Sequence, residues 1–125
     1  MIENMVERLS RSIDYFNREY FFEAHDEIEE LWMDARQRLH RDLFHGLVNM
    51  ATGFYHYRMN NFKGMQSQLS KGFEKLSSLP IMSMGCNIGK LLEDSRPFLQ
   101  AFERGGRNFP ERPPIIEFYP EEFSE

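Results

Sequence analysis

Cysteine is nearly absent: Cys86 stands alone in 125 residues. One thiol cannot build an intrachain disulfide framework or a Cys-rich zinc site, and it fits a reducing compartment. Long apolar runs are missing too. No stretch approaches the roughly 18 residues needed to span a bilayer, and the opening MIENMVERLS lacks the apolar core of a secretory signal. A cytoplasmic protein with no membrane partner is expected. Positive charge is in short supply, with 15 Lys and Arg against 20 Asp and Glu and a net charge of −5. Nucleic-acid binders usually carry a basic face, so no nucleic-acid partner is expected. No Walker loop, dinucleotide fingerprint or Ser-containing elbow occurs, and Gly85-Cys86-Asn87-Ile88-Gly89 is no recognised phosphate cradle. Cys86 has no basic or His neighbour in sequence to activate it as a nucleophile.

Phe and Met are abundant, at 12 and 8 residues, and their spacing is helical. Ile2, Met5, Val6, Leu9, Ile13 and Phe16 form one apolar stripe, with Arg8, Arg11, Asp14 and Arg18 expected to be wet. A second helix runs from about Tyr20 to Ala35, with Phe21, His25, Ile28, Glu29 and Trp32 on one face and Glu23, Glu27, Glu30 and Asp34 opposite. A third, from about Arg38 to Met59, is apolar most of the way round and so belongs at the centre of a bundle. Asn60-Asn61 marks a turn, since Asn tolerates left-handed backbone and caps helices. A fourth helix carries Phe62, Met65, Leu69, Phe73 and Leu76. Ile81 to Gly85 reads as a loop, and Asn87 as the cap of a fifth helix. Pro97 predicts a kink or restart there with Ser95 as the new cap, and Gly105-Gly106 the end.

These elements predict an all-α fold: a compact bundle of about five helices over 1–104, followed by an extended arm over 105–125. The arm holds four of the six prolines. Its Ile115, Ile116, Phe118, Tyr119 and Phe123 are expected to dock on the bundle or on a second subunit. Offset by 41 residues, Phe21, Ala24, Ile28 and Trp32 align with Phe62, Met65, Leu69 and Phe73, a weak repeat with only two copies.

One group of residues could carry chemistry. His25, Asp26, Glu29 and Trp32 lie on the second helix. His45, Asn49, Thr52 and His56 form the one polar stripe of the third. His and Glu at i and i+4 stand about 6 Å apart on one helix face and can ion-pair, share a proton or ligate a metal. A short connection makes the two helices antiparallel neighbours. The expectation is therefore a single polar pocket holding His25, Glu29, Asn49 and His56, with His45 at its edge. Its simplest reading is a satisfied buried network with no ligand. The alternatives are a small-molecule or catalytic pocket with His25 as acid and Glu29 as base, and a divalent metal held by His25, Glu29 and His56. No cofactor is otherwise expected, because neither H-E-x-x-H nor the paired E-x-x-H of di-iron bundles is present.

The stretch F-N-R-E-Y-F-F-E-A-H-D-E-I-E-E-L-W, Phe16 to Trp32, is followed by H-G-L-V-N-M-A-T-G-F-Y-H, His45 to His56, and N-N-F-K-G-M, Asn60 to Met65. Together they resemble a small prokaryotic family, domain of unknown function family 309, over roughly residues 10 to 80. The resemblance implies a compact all-helical domain and supplies no activity. Asp26 stands where that family usually has Glu, His45 and Asn49 where it has Gln, Asn60 where it has Gly and Met65 where it has Ala. His45 thus adds an imidazole particular to this chain. Two functions compete. One is a helical binding or scaffold protein, a homodimer with room for a small-molecule ligand. The other is a hydrolase or lyase using His25 and Glu29.

Overall fold

The computed structural model describes residues 2–123, with side chains from residue 5 onward. The expected place of Ile2 in the first stripe, and the last two residues of the arm, fall outside that range. Among the described residues the fold is all-α, with five α-helices and one two-stranded hairpin: α1 (Ile2–Asn17), α2 (Phe21–Asp34), α3 (Arg38–Arg58), α4 (Phe62–Leu76), β1 (Met82–Ser83), β2 (Cys86–Asn87) and α5 (Ile88–Glu103). Among the described residues no helix is long and apolar enough to cross a membrane.

Helix α1 buries Leu9, Ile13 and Phe16, the stripe its periodicity predicts. Glu19, at φ 66°, turns the chain into α2. The buried face of α2 is Phe21, Ala24, Ile28 and Leu31. That is one row round the helix from the expected face, so His25, Glu29 and Trp32 sit half-buried on its flank. Two of the acidic residues opposite pair with α1 instead of only facing water: Asp34 with Arg8 at 3.0 Å and Glu27 with Arg11 at 3.5 Å.

Helix α3 is the spine. It is packed most extensively by α4 and next by α2, and eleven of its residues are buried. Glycines let α3 and α4 approach closely: a Cβ on Gly46 would lie 2.5 Å from the Leu76 side chain, and one on Gly53 2.6 Å from Leu69. The turn into α4 follows the sequence. Asn60 takes φ 60°, and the Asn61 side chain accepts the Gly64 N–H at 3.0 Å, capping the helix. In the 41-residue offset, Ala24 and Ile28 on α2 correspond to Met65 and Leu69 on α4, and all four are buried.

Two expectations around α5 are corrected. Residues 81–85 are not simply a loop, because Met82 pairs with Asn87 and Ser83 with Cys86 across a two-residue turn. Both turn residues have positive φ, 50° at Met84 and 82° at Gly85, the geometry of the tight hairpin turns that match strand twist. Nor does α5 restart at Pro97. It runs unbroken from Ile88 to Glu103, capped by the Asn87 side chain on the Lys90 N–H, and Ser95 lies buried in mid-helix. Pro97 removes one backbone donor, a loss outweighed by the burial of Leu91, Leu92 and Phe98 around it. Gly105, at φ 78°, closes the helix: its N–H bonds Phe102 O and that of Gly106 bonds Ala101 O, the paired bonds of a Schellman end.

The C-terminal arm lies on its own bundle. Phe109 packs among Tyr57, Phe62 and Phe98. Pro113, Pro114 and Ile116 are buried, and the backbone bridges to the hairpin through Asn87 N–H to Glu117 O and Tyr119 N–H to Gly85 O. It is extended except for a 3-10 turn at Pro120–Glu122. The Asn17 amide at the end of α1 clasps the arm, accepting the Ile116 N–H at 2.7 Å and donating to the Ile116 carbonyl at 3.0 Å. Asn17→Ala strands both backbone groups, so it is expected to cost about 2 kcal/mol in urea unfolding. A change under about 0.5 kcal/mol would contradict the clasp.

Candidate functional site

At 1.5 Å rise per residue, His45 and His56 are about 16 Å apart along α3. No single small pocket spans that distance. The antiparallel pairing of α2 with α3 accordingly divides the polar residues between two places.

At one end His25 from α2 meets Thr52 and His56 from α3. With Phe22 and Tyr55 they line a half-open cavity of about 150 Å3 between the helices. Both nitrogens of His25 have carboxylate neighbours: Nδ1 stands 3.1 Å from Asp26 Oδ1 and Nε2 3.8 Å from Glu29 Oε2. The first is a hydrogen bond and the second a longer ion-pair contact. Side-chain exposures of 27% for His25 and 44% for Glu29 put the pair at the surface, where such pairs contribute about 0–1 kcal/mol. His56 Nδ1 lies 3.3 Å from the amide nitrogen of Asn61, so the residue that caps α4 also orients this imidazole. The rings run His25, Phe22, Tyr55, His56, with centroids 6.3, 5.8 and 5.9 Å apart in turn and interplanar angles of 31°, 48° and 58°.

At the other end Trp32 leaves the expected pocket. Its indole stacks on His45, with centroids 4.3 Å apart and planes within 12°. The Arg41 guanidinium lies over the same ring at 5.6 Å. Arg41 also donates to the carbonyls of Trp32 and Ala35, neutralising the C-terminal end of α2. Burial, then the Lys75 and Arg41 charges, hold the His45 pKa below its ordinary 6.5, with Asp42 opposing. The consequence for pH has a definite sign. As pH falls, the unfolded chain takes this proton before the folded one. His45's contribution to stability is therefore full above the ordinary histidine range and fades as pH drops through it. Trp32 is the sole tryptophan, and a protonated imidazole stacked on indole quenches its emission. Emission is expected to fall with a midpoint below pH 6.5 while far-UV circular dichroism stays constant, and His45→Gln should abolish the fall. A midpoint above 6.5, or quenching that persists in His45→Gln, would refute the stack.

Asn49 belongs to neither place. It is buried, and its amide nitrogen donates to Gln68 Oε1 on α4 at 3.0 Å. On a helical wheel the stripe residues His45, Asn49, Thr52 and His56 sit at 0°, 40°, −20° and 20°, counting about 100° per residue. Asn49 is thus at one edge of the stripe, the edge that α4 covers. The expected convergence of His25, Glu29, Asn49 and His56 therefore gives way to a cleft of His25, Thr52 and His56 with two aromatic rings. Glu29 and Asp26 stand behind His25, and Asn49 is turned away. Among the described residues no group of three His, Cys, Asp or Glu is placed to hold a metal ion. Sequence reasoning missed Phe22 and Tyr55 as wall residues. The available signal was Phe22, an aromatic at the opening turn of α2 just off the apolar stripe.

The cleft has no activated nucleophile. Cys86 is far away in the hairpin and buried, and burial pushes its thiol up to about 12. A larger hollow of about 380 Å3 lies between α4, the segment before the hairpin and α5, lined by Leu76, Leu79, Ile81, Ile88 and Leu92 together with Ser77, Glu93 and Arg96. The α2–α3 cleft differs from it in setting two imidazoles and a hydroxyl among aromatic rings.

The chain is similar to "Uncharacterized protein YpuF" of Bacillus subtilis (strain 168), 25% identical over 75 residues, a match covering 58% of this chain and 43% of that protein. It thus spans under half the length of that relative. Residues 9–68, from α1 into α4 and including every residue of the cleft, match the model of the family described as Domain of unknown function (DUF309).

Proposed function

We propose that the protein is a non-enzymatic binding domain whose ligand, a small molecule, enters the α2–α3 cleft. The observation that carries this reading is the composition of one cavity of about 150 Å3: two imidazoles and a hydroxyl set among aromatic rings, drawn from two adjoining helices. Small-ligand sites have this character, a mostly apolar concavity with a few placed polar groups. An apolar cavity of about this size admits one benzene-sized molecule, which bounds the part of the ligand that is enclosed. The hydrolase or lyase reading loses its base, because Glu29 reaches His25 from outside and does not line the cavity.

The test is a screen of compact fragments by protein-observed NMR, run on the native chain and on Thr52→Phe. The larger side chain fills the cleft from a half-exposed position, so the fold should survive. Fragments are expected to shift the His25 and His56 ring signals in the native protein and to lose that effect in Thr52→Phe. Fragments that bind but map elsewhere, or that bind the filled variant equally well, would overturn the proposal.

A further inference from the structure

We infer that the cleft recognises a small organic cation, a quaternary ammonium group carried by a free molecule of the size of choline. This rests on the reading of the cleft as a ligand site and adds the chemistry of the ligand.

Three observations converge. The walls are rings. His25, Phe22, Tyr55 and His56 follow one another at 5.8 to 6.3 Å, each tilted against the next, so the row is not flat and borders a cavity. Aromatic rings attract a cation at their faces and have no preference for an anion. The protein already uses this interaction elsewhere, with Arg18 over Tyr20, Arg96 over Phe73 and Arg107 over Phe62 and Phe102. No Lys or Arg is among the residues lining the cleft.

The charge beside the cleft is also negative. Asp26 and Glu29 hold the two nitrogens of His25. Two carboxylates outweigh the charge of His25 and His56 together unless both imidazoles are protonated. A cation is attracted and an anion repelled. The carboxylates stand outside the lining, behind an imidazole, so a group in the cavity meets aromatic rings while its charge is balanced through His25. A primary ammonium would tie its three N–H donors to the Thr52 and Tyr55 oxygens and the imidazole nitrogens, at the expense of contact with the rings. A quaternary ammonium has none.

Size is the third observation. About 150 Å3 is room for a benzene-sized body, and a trimethylammonium head is of that size. Phe22, at 54% exposure, carries the apolar wall out to the surface.

The test is calorimetric titration of the full chain with four probes. Choline and tetramethylammonium are cations. 3,3-Dimethylbutan-1-ol is the neutral isostere of choline. Betaine carries the same head with a carboxylate. Choline is expected to bind about tenfold or more tighter than the neutral isostere, the scale of a desolvated cation–π contact. Betaine should be weaker than choline because Asp26 and Glu29 repel its carboxylate. Phe22→Leu and Tyr55→Leu, both at positions with exposed surface, should each weaken choline several-fold and the neutral isostere clearly less, since only choline loses the cation–π part of the contact. Equal affinity for choline and its isostere would overturn the cation assignment while leaving the cleft a binding site. The cation assignment falls in the same way if none of the four binds while other fragments still shift His25 and His56. If no compound of any kind binds there, both readings fall.

Discussion

Phe54→Ala is expected to destabilise the protein by about 4 kcal/mol, the largest effect of any single truncation in the core. Phe54 is fully buried on α3. Its ring meets Phe16 of α1 at 6.1 Å edge-on, Phe21 of α2 at 5.7 Å and Phe98 of α5 at 5.1 Å edge-on. One side chain thus joins three helices to the spine. Truncation removes that transfer free energy and the edge-to-face contacts, and leaves a cavity that four separately anchored elements cannot collapse to fill. In a chain of this size about 4 kcal/mol lowers the melting temperature by roughly 10–20 °C. Phe54→Leu should cost about 1–2 kcal/mol, since most of the volume is kept. A melting temperature within about 5 °C of native for the alanine variant would mean that these helices do not meet at this residue.

Gly85→Ala should cost about 3 kcal/mol and release the arm. Two separate physical effects add. At φ 82° a Cβ carries the left-handed penalty of roughly 1–2 kcal/mol. That Cβ would also run into the carbonyl oxygen of Tyr119 and stand 3.1 Å from the Phe118 ring. The obstruction is backbone, held where it is by the Tyr119 N–H bond to the Gly85 carbonyl and by the Cys86–Phe118 bridge, so it cannot move without breaking the arm's attachment. Limited proteolysis reads the second effect directly. The variant is expected to be cut between Gly105 and Glu125 much faster than the native chain. Equal cutting rates together with an unchanged melting point would contradict the docking of the arm on the hairpin.

The difference between these two sites illustrates what a sequence of this kind discloses. The central place of α3 was legible because apolar residues surround it from Leu43 to Tyr55, and only a helix packed on several sides has that composition. The hairpin at Met82 to Asn87 was not legible, because its turn residues are Met84 and Gly85. Methionine in left-handed backbone carries no turn signal. The Cys86–Phe118 bridge pairs residues far apart in sequence, which local patterning cannot anticipate.

The site was half legible, and the missing half has a cause. Polar residues interrupting apolar faces were readable on both helices. The register of α2 against α3 was not, and it decides that His25 meets Thr52 and His56 while Trp32 meets His45. The α2 face itself was read one row off. Phe21, Ile28 and Trp32 fit a helical period as well as Phe21, Ala24, Ile28 and Leu31 do, and the large indole outweighs Ala24 in any such reading. The axial rise alone would have separated His45 from His56.

The four histidines offer the most direct measurement. Their ring signals can be followed together by long-range proton–nitrogen NMR while the best-binding compound is titrated into the native chain. If the α2–α3 cleft is the binding site, His25 and His56 shift in parallel along one saturating curve, and His40 and His45 stay fixed. Shifts led by His45 with quenching of Trp32, or saturable binding that moves neither His25 nor His56, would place the ligand elsewhere and remove the cleft as the functional site.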